Sequence, residues 1–352
     1  MRLKYGEKPK FLIEIETYNI LYKNKNLKYV KDKWIFYWRF LSYLFDMGYR
    51  LYTIQNYYYI LRRFLNMLQD KPIRKINKED VAEYLLYLKN DCNYKPYTLR
   101  YSKEKIHYYF TFIMRYSRIK KNPTANLNIR LHYKQEENMD LFTQDEVELI
   151  IKKNKQCLKR IQRSDFKTDY SYRLGYYNIK QDYLILKLMF SSGIRPCEVV
   201  NIELPDFYAE ELKLRIRSKG NQQYIMKDRH IFITKKTSEE IDELLKIQES
   251  LRNIHSEQKL FIHYSGHKLS NNYPTTIIKR RASKSGIKRR VYAYMTRYTY
   301  CTGLVENGID LYSLKCLMGH KQVAVTLKHY LKLSPTEIRK EWKQFNPLNK
   351  GA

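Results

Sequence analysis

Apolar side chains recur at helical spacing through the first third of the chain. Trp34, Trp38, Leu41 and Phe45 define one stripe, which predicts a helix that ends at Gly48. Three further stripes predict three more helices, which begin at Thr53, at Asn77 with Asp80, and at Thr98. Their apolar positions are Ile54, Tyr57, Leu61, Phe64 and Leu68; Val81, Tyr84, Leu85 and Leu88; and Ile106, Tyr109, Phe110 and Ile113. Four such helices, stopped by Asn122-Pro123, predict a small all-α bundle.

A polar stretch without periodicity, residues 130–141, follows the bundle and is predicted to be a linker. Thr143 and Glu146 then have the spacing of a capping box, which indicates the start of a second domain. The basic residues around 155–180 show no period and predict a loop or lid. Residues 181–192 are apolar and predict a helix that ends at Gly193.

Two short alternating segments, 212–217 and 229–234, predict a β-hairpin or two strands of a small sheet. The rest of the chain is predicted to be helical at 238–252, 273–285, 296–307, 311–318 and 323–331. The expected fold class is therefore mainly α, with a four-helix N-terminal domain and a C-terminal α domain that carries a small sheet. The expected divisions are a basic arm (1–27), a first domain (28–129), the linker (130–141), a second domain (142–333) and a tail (334–352).

The charge balance narrows the choice of partner. Lys and Arg number 67 against 36 Asp and Glu, which gives a net charge of +31. Such an excess repels itself in a compact chain and favours binding to a polyanion. Charge alone is also consistent with a solubility role or with an RNA-binding protein of translation. The hydrophobic content of 43% excludes wholesale disorder.

Several classes of protein are not indicated. The sequence has no apolar run of about 18 residues, no lipidation motif and no apolar stretch at its N-terminus, so we expect a cytoplasmic protein without a membrane partner. Its five cysteines are scattered without a CxxC pair, so neither a zinc site nor a disulfide framework is predicted. We expect no metal and no cofactor.

Four segments of the second domain carry residues suited to phosphate chemistry. They are SSGIRPCEVVNI with Arg195 and Glu198, RIRSKGN with Lys219, YMTRYTY with Arg297, and LMGHKQVAVTLKHY with His320 and Tyr330. Taken singly, these residues are better explained as a helix-capping ion pair, a solvated turn lysine and a helix-end histidine. Because the chain has 35 tyrosines, only the spacing of Tyr330 distinguishes it from the others.

Together these residues would suit one phosphodiester. Two guanidinium forks can bind phosphate oxygens and neutralise the charge of a pentacoordinate transition state. A lysine can protonate a leaving 5′ oxygen, and a tyrosine can serve as the nucleophile.

The same segments resemble the tyrosine recombinases, the phage integrase family. The matching strings are SSGIRPCEVVNIELPDF, SKGN, IKRRASKSGIKRR and YMTRYTYCTGLVENGIDLYSLKCLMGH with the final tyrosine. The first domain is similar to the core-binding domain of that family through FDMGYRLYTIQNY, KPIRKINKEDVAEYL and NPTANL. The resemblance covers roughly residues 28 to 333 and implies the fold that this family shares with type IB topoisomerases.

The resemblance implies a role for each candidate residue. Arg195 and Arg297 would bind the scissile phosphate, Lys219 would act as the general acid, and His320 would hydrogen-bond the phosphate. Tyr330 would be the nucleophile and form a covalent 3′-phosphotyrosyl ester. Glu198 matches an acidic residue that orients the site.

Two positions depart from the family pattern. Tyr294 stands where the family usually has histidine; a phenol can donate a hydrogen bond to phosphate, but with an ordinary pKa of about 10 it is a poor base. Tyr294 is therefore expected to be a weaker member of the site. Tyr330 lies ten residues after His320 rather than the usual nine, and His329 occupies the usual place.

The family resemblance also implies partners. The two domains would close on double-stranded DNA as a clamp, and four protomers on two DNA sites would exchange strands through a Holliday junction without ATP, metal or a small-molecule substrate. The tail would dock on a neighbouring protomer through Ile338, Trp342 and Phe345. One helix is predicted to present a DNA-binding surface, or else a solvated basic face, made of Lys279, Arg280, Arg281 and Lys284.

Two alternatives share this fold. One is an enzyme that relaxes supercoiled DNA without a specific site, like type IB topoisomerases. The other is a DNA-binding protein that has lost strand cleavage. A host enzyme associated with the nucleoid and a virus- or plasmid-encoded enzyme are both consistent with the sequence.

Overall fold

The computed structural model describes residues 11, 12, 14, 16, 32–116, 119–127, 141–217, 228–251 and 258–319. Contacts between residues divide the chain into two compact units, residues 1–137 and 138–352. The predicted linker, apart from Leu141, and the predicted tail lie outside the described residues. Of the predicted N-terminal arm, Phe11, Leu12, Glu14 and Glu16 are described, and all four are helical.

The first unit contains four long helices. They are α1 (Asp32–Asp46), α2 (Leu51–Met67), α3 (Lys78–Asn90) and α4 (Pro96–Tyr116), with a 3₁₀ turn at Ile73–Lys75. Their apolar faces form one core, into which Phe11 also packs. The predicted stripes of α2, α3 and α4 are all buried, and Asn77 and Asp80 form the predicted capping box. Burial of these stripes is the main favourable contribution to the stability of such a bundle.

Three sequence-based details of this unit are wrong. Helices α2 and α4 begin at Leu51 and Pro96, so Thr53 and Thr98 lie inside the first turns and do not cap them. Proline favours the first turn of a helix because it needs no hydrogen-bond acceptor there. The predicted stripe of α1 is displaced: Phe45 is exposed, whereas the buried positions are Tyr37, Phe40, Leu41 and Leu44. This helix is apolar on most of its circumference, so packing rather than periodicity selects its inner face.

The second unit surrounds a larger core with helices and one small sheet. Its helices are α5 (Gln144–Arg160), α6 (Asp169–Ser192), α7 (Pro196–Val199), α8 (Lys235–Leu251), α9 (Tyr273–Lys284), α10 (Tyr294–Glu306) and α11 (Leu311–Met318). Short 3₁₀ turns lie at Arg163–Asp165 and Leu204–Asp206. The sheet is antiparallel in the order β1 (Phe207–Tyr208), β2 (Lys213–Ile216) and β3 (Arg229–Phe232). The predicted strand pair is confirmed as β2 and β3, with Ile216 opposite Arg229.

The predicted loop or lid at 155–180 is wrong. Helix α5 continues to Arg160, and α6 begins at Asp169 behind a capping box formed by Thr168 and Ser171. Tyr177 and Lys180 are buried on α6, because their long apolar parts pack inward while their polar tips find partners. The Tyr177 hydroxyl donates to the Ile262 carbonyl at 3.0 Å, and Lys180 pairs with Glu243. Side chains of this kind hide helical periodicity when they are counted as polar.

A buried carboxylate connects α6 to α9. Asp182 accepts hydrogen bonds from Tyr273 at 3.0 Å and from Arg281 at 2.8 Å, and it also pairs with Arg280. Arg281 is itself buried. The assignment of Arg281 to an exposed DNA-binding face is therefore wrong, because its guanidinium neutralises an interior charge. Lys279, Arg280 and Lys284 are exposed.

No helix in the described part of the chain is both long enough and apolar enough to cross a lipid bilayer.

We expect Asp182→Ala to destabilise the second unit, because it leaves Arg281 buried without its carboxylate. Breaking a buried ion pair in this way lowers the free energy of unfolding by about 3–5 kcal/mol. Asp169→Ala is the matched control on the same helix: it removes exposed pairs with Arg173 and Arg163 and should cost under about 1 kcal/mol. Equilibrium unfolding in urea measures both, and equal losses would contradict this account.

Candidate active site

Two helices of the second unit end at a glycine in the left-handed conformation. Gly193 ends α6 with φ of 57°, and Gly319 ends α11 with φ of 62°. Side chains other than glycine rarely adopt these angles, and a Cβ atom at Gly193 would lie 2.4 Å from the ring of Tyr300. The last carbonyls of a helix have no partner within it, so both ends offer acceptors to other groups.

Arg297 connects these two helix ends. It lies in the first turn of α10 and is only 2% exposed. Its Nη1 donates to the Gly193 carbonyl at 2.7 Å, and its Nη2 donates to the Met318 carbonyl at 2.6 Å. The partial negative charge of a helix C-terminus favours a cation at this place.

Arg195 reaches the next carbonyl along the same helix end. It caps α7, and its Nη2 donates to the Gly319 carbonyl at 3.2 Å. Its Nη1 donates to Glu198 Oε1 at 2.9 Å, so Glu198 faces Arg195 as its position one turn further on predicts. The two arginines are thus bound to consecutive carbonyls, those of Met318 and Gly319.

Glu198 is shared by two arginines. In addition to Arg195, it accepts from Arg229 on β3, whose Nη1 lies 3.2 Å from Oε1 and whose Nη2 lies 2.6 Å from Oε2. Burial alone would raise the pKa of Glu198, but the hydrogen bonds and charges of Arg229 and Arg195 outweigh it and lower the pKa to about 2. Glu198 is therefore ionised at any working pH.

Tyr294 is the first residue of α10 and is 43% exposed. Burial of its remaining surface raises the pKa of the phenol, and the nearby charges of Arg195 and Arg297 oppose that rise. Since the pKa stays above its ordinary value, the hydroxyl is protonated near neutral pH and can donate a hydrogen bond. Tyr294 lies three residues before Arg297 on α10, and the charges of Arg195, Arg297 and Glu198 act on its phenol.

Lys219, His320 and Tyr330 lie outside the described residues, and only the elements that adjoin them are described. Strands β2 and β3 flank the segment that contains Lys219, and Gly319 directly precedes His320. At the end of β2 nearest that segment, Asp206 binds Arg215 at 2.7 Å and Arg217 at 2.9 Å. The burial of Asp206 alone would raise its pKa, and these two arginines lower it.

Sequence reasoning missed Arg229. The sequence contained the signal, because Arg229 is followed at two-residue spacing by Ile231 and Ile233, which are buried. Side chains two residues apart on a strand share a face, so Arg229 belongs to the inner face of the sheet. An arginine there requires a buried carboxylate, and Glu198 is that group.

Comparison with known families identifies the class. The model described as "Phage integrase family" matches residues 142–337, which is more than half of the chain. A second, "Phage integrase, N-terminal SAM-like domain", matches residues 36–118. The chain therefore belongs to the phage integrase family, the tyrosine recombinases, and the family expected from the sequence is confirmed. The enzyme class, a site-specific DNA recombinase, is confirmed at the level of the family.

Individual relatives agree with this assignment. Tyrosine recombinase XerC of Listeria monocytogenes serotype 4a is 24% identical over 288 residues, which cover 81% of this chain and 87% of the relative. Tyrosine recombinase XerD of Staphylococcus epidermidis strain RP62A is 24% identical over 298 residues, which cover 84% of this chain and 92% of the relative.

Solved structures show the same fold. The Tn1549 transposon integrase in complex with a circular intermediate DNA gives a TM-score of 0.63 at 17% identity, over 86% of this chain and 96% of that one. XerH site-specific recombinase bound to difH substrate gives a TM-score of 0.64 at 18% identity, over 84% of this chain and 80% of that one. The expected fold class is confirmed.

The ionisation of Glu198 predicts how stability depends on pH. Because the folded pKa of about 2 lies below the ordinary value of 4.5, the ion pairs stabilise the protein above pH 4.5 and lose this effect as pH falls toward 2. Glu198→Gln should therefore lower the free energy of unfolding by about 3 kcal/mol at neutral pH. Urea unfolding across this pH range should show the deficit shrinking as acid is added; a deficit independent of pH would contradict the assignment.

Proposed function

We propose that this recombinase cuts one DNA strand with the phenol of Tyr330 and holds the 3′ end as a phosphotyrosyl ester until the strand is rejoined. The observation that carries the proposal is the convergence of Arg195 and Arg297 on the carbonyls of Met318 and Gly319. That helix end directly precedes His320, the first residue of the segment that contains Tyr330. The positive charge of the site is thus next to the proposed nucleophile in the chain.

Arg195 is proposed to contact the scissile phosphate directly, and the buried Arg297, whose two terminal nitrogens donate to backbone carbonyls, is proposed to add its positive charge to the site. Arg195 offers the more open surface, with 27% of its side chain exposed, whereas Arg297 supports it from the interior. A guanidinium stays charged at any working pH and can bind two phosphate oxygens at once. Charge fixed in place before the reaction stabilises the additional negative charge of the transition state, and the reaction then needs no metal or ATP.

The remaining roles follow the chemistry of strand transfer. The Tyr330 oxygen bonds to phosphorus as its proton passes to solvent water, and the bond between phosphorus and the 5′ oxygen breaks. Lys219 gives that oxygen a proton and is later reprotonated from solvent. His320 hydrogen-bonds the phosphate. Tyr294 donates a further hydrogen bond to it, which its raised pKa supports.

Duplex DNA is the proposed partner of both units. The net charge of +31 supports this, as do the solved structures of the Tn1549 integrase in complex with DNA and of XerH bound to difH substrate. Phosphate contacts would supply most of the affinity and make it fall with salt. The exposed side chains of Lys279 and Lys284 are proposed to form part of the DNA-binding surface, together with Arg280, which is exposed although it also pairs with Asp182. Four protomers would assemble on two sites, with the tail of one docked on the next.

Tyr330→Phe tests the proposed nucleophile. The DNA probe is a nicked duplex whose sequence is selected by binding from a randomised library. We expect the parent protein to form an adduct that survives denaturation and maps by mass spectrometry to Tyr330. Because the variant lacks only the attacking oxygen, it should bind the same duplex equally well and form no adduct.

Tyr312→Phe is the matched control, because Tyr312 is an exposed tyrosine of α11 that has no proposed role. It should form the adduct at the parental rate. An adduct on a different tyrosine, or an adduct that still forms with Tyr330→Phe, would contradict the proposal. Relaxation of an arbitrary supercoiled plasmid would instead indicate an enzyme without site specificity.

A further inference from the structure

Arg195 and Arg229 share two neighbours in the second unit. Both donate to the carboxylate of Glu198, Arg195 through one guanidinium nitrogen and its backbone N–H, and Arg229 through two guanidinium nitrogens. Both also lie against Gly319: Arg195 binds its carbonyl, and a Cβ atom on Gly319 would be 2.9 Å from Cδ of Arg229. One carboxylate is therefore enclosed by two guanidiniums at the helix end that precedes His320.

The charges in this cluster determine what Arg195 can offer. A single Arg195–Glu198 pair would be neutral, and a neutral pair would attract a phosphate only weakly. With Arg229 added, the three side chains carry one net positive charge. Arg229 occupies both oxygens of Glu198 and is largely buried, with 13% of its side chain exposed, whereas Arg195 is the more open of the two. The uncompensated charge is therefore presented on the side of Arg195.

We propose that Arg229 is a positioning residue of the active site, whose guanidinium neutralises Glu198 so that this carboxylate orients Arg195 without cancelling its charge. The inference rests on the proposed function, in which Arg195 binds the scissile phosphate. Arg229 does not touch the DNA; it acts through Glu198 and through the backbone at Gly319.

The position of Arg229 on the sheet extends this role. Arg229 begins β3 and is paired with Ile216 of β2, so it stands at the end of the hairpin from which the segment with Lys219 extends. The same guanidinium thus connects the hairpin to α7 and to the end of α11. One side chain thus joins α7, the strands that flank the segment with Lys219, and the helix end that precedes His320, which supports preorganisation of the proposed site.

Arg229→Gln tests the proposal, with the nicked duplex described above as the probe. At saturating DNA we expect adduct formation to slow on the order of 10- to 100-fold, because Arg195 is displaced and its charge is compensated. The dissociation constant for the duplex should stay within about twofold, since a single partly compensated charge is one contact among many. Arg229→Lys keeps the positive charge but not the two-nitrogen contact of the guanidinium, so it should form the adduct faster than Arg229→Gln but slower than the parent.

The decisive variant is the double substitution Glu198→Gln with Arg229→Gln. It removes the carboxylate together with the group that neutralises it, so the charge of Arg195 is again uncompensated. The double variant should therefore form the adduct faster than Arg229→Gln alone. A residue with a merely structural role would make the double variant slower than either single variant.

Arg289→Gln is the matched control, because Arg289 also holds a glutamate with two nitrogens, at 3.2 and 2.6 Å from the Glu146 oxygens, and has no proposed role in the site. It should form the adduct at the parental rate. Parental kinetics for Arg229→Gln, or a double variant slower than Arg229→Gln, would overturn the inference.

A second measurement needs no DNA and separates this inference from the proposed function. Urea unfolding should show that Arg229→Gln destabilises the protein and that adding Glu198→Gln restores part of the loss, because a buried carboxylate with too few partners is removed. If the parent protein forms no adduct, the proposed function fails, while this coupling still supports the contact. Additive losses of stability would show that Arg229 does not act through Glu198.

Discussion

The site depends on hydrogen bonds between guanidinium groups and the carbonyls at the end of one helix. Helix α11 ends at Met318 and Gly319, whose carbonyls lack partners within the helix and carry partial negative charge. Arg297 binds the first of these carbonyls and Arg195 the second, and Arg297 also binds the end of α6 at Gly193. A buried guanidinium is expensive to desolvate unless it has such acceptors, so the backbone geometry and the placement of the arginines require each other. Left-handed glycines at both helix ends make that geometry available.

Charge balance is the second constraint on the site. A phosphate-binding site needs positive charge that is fixed in place, yet an arginine without a partner is mobile and one with a single carboxylate is neutralised. In the proposed phosphate site, Glu198 between Arg195 and Arg229 would satisfy both needs. Burial of Glu198 is offset by these two partners, which keep it ionised. In the proposed site, the phenol of Tyr294 would supply a hydrogen-bond donor at the position where the family usually has histidine.

The sequence predicted the parts of this structure that depend on local spacing. Glu198 lies one helical turn after Arg195, and this spacing alone indicates their contact. Contacts between elements distant in sequence were not accessible in the same way. The sequence does not distinguish Arg281 from its exposed neighbours, because its partner Asp182 lies 99 residues away. Arg229 binds Glu198, which is 31 residues away in the sequence, and this contact was missed. Its two-residue spacing from the buried Ile231 nevertheless indicates that Arg229 faces inward. The residues around 155–180 were misread as a loop because tyrosine and lysine bury their stems while appearing polar.

The central claim is that the end of α11 holds both arginines in position for the reaction. Its most direct test is the single-turnover rate of adduct formation by Gly319→Ala, since a Cβ atom there would press on Arg229 and strain the backbone at φ of 62°. Gly286→Ala is the matched control, because Gly286 has φ of 89° and open space around its Cβ position. The account predicts that Gly319→Ala slows the reaction on the order of tenfold with unchanged affinity for DNA, while Gly286→Ala reacts like the parent. Parental reaction rates for Gly319→Ala would contradict it.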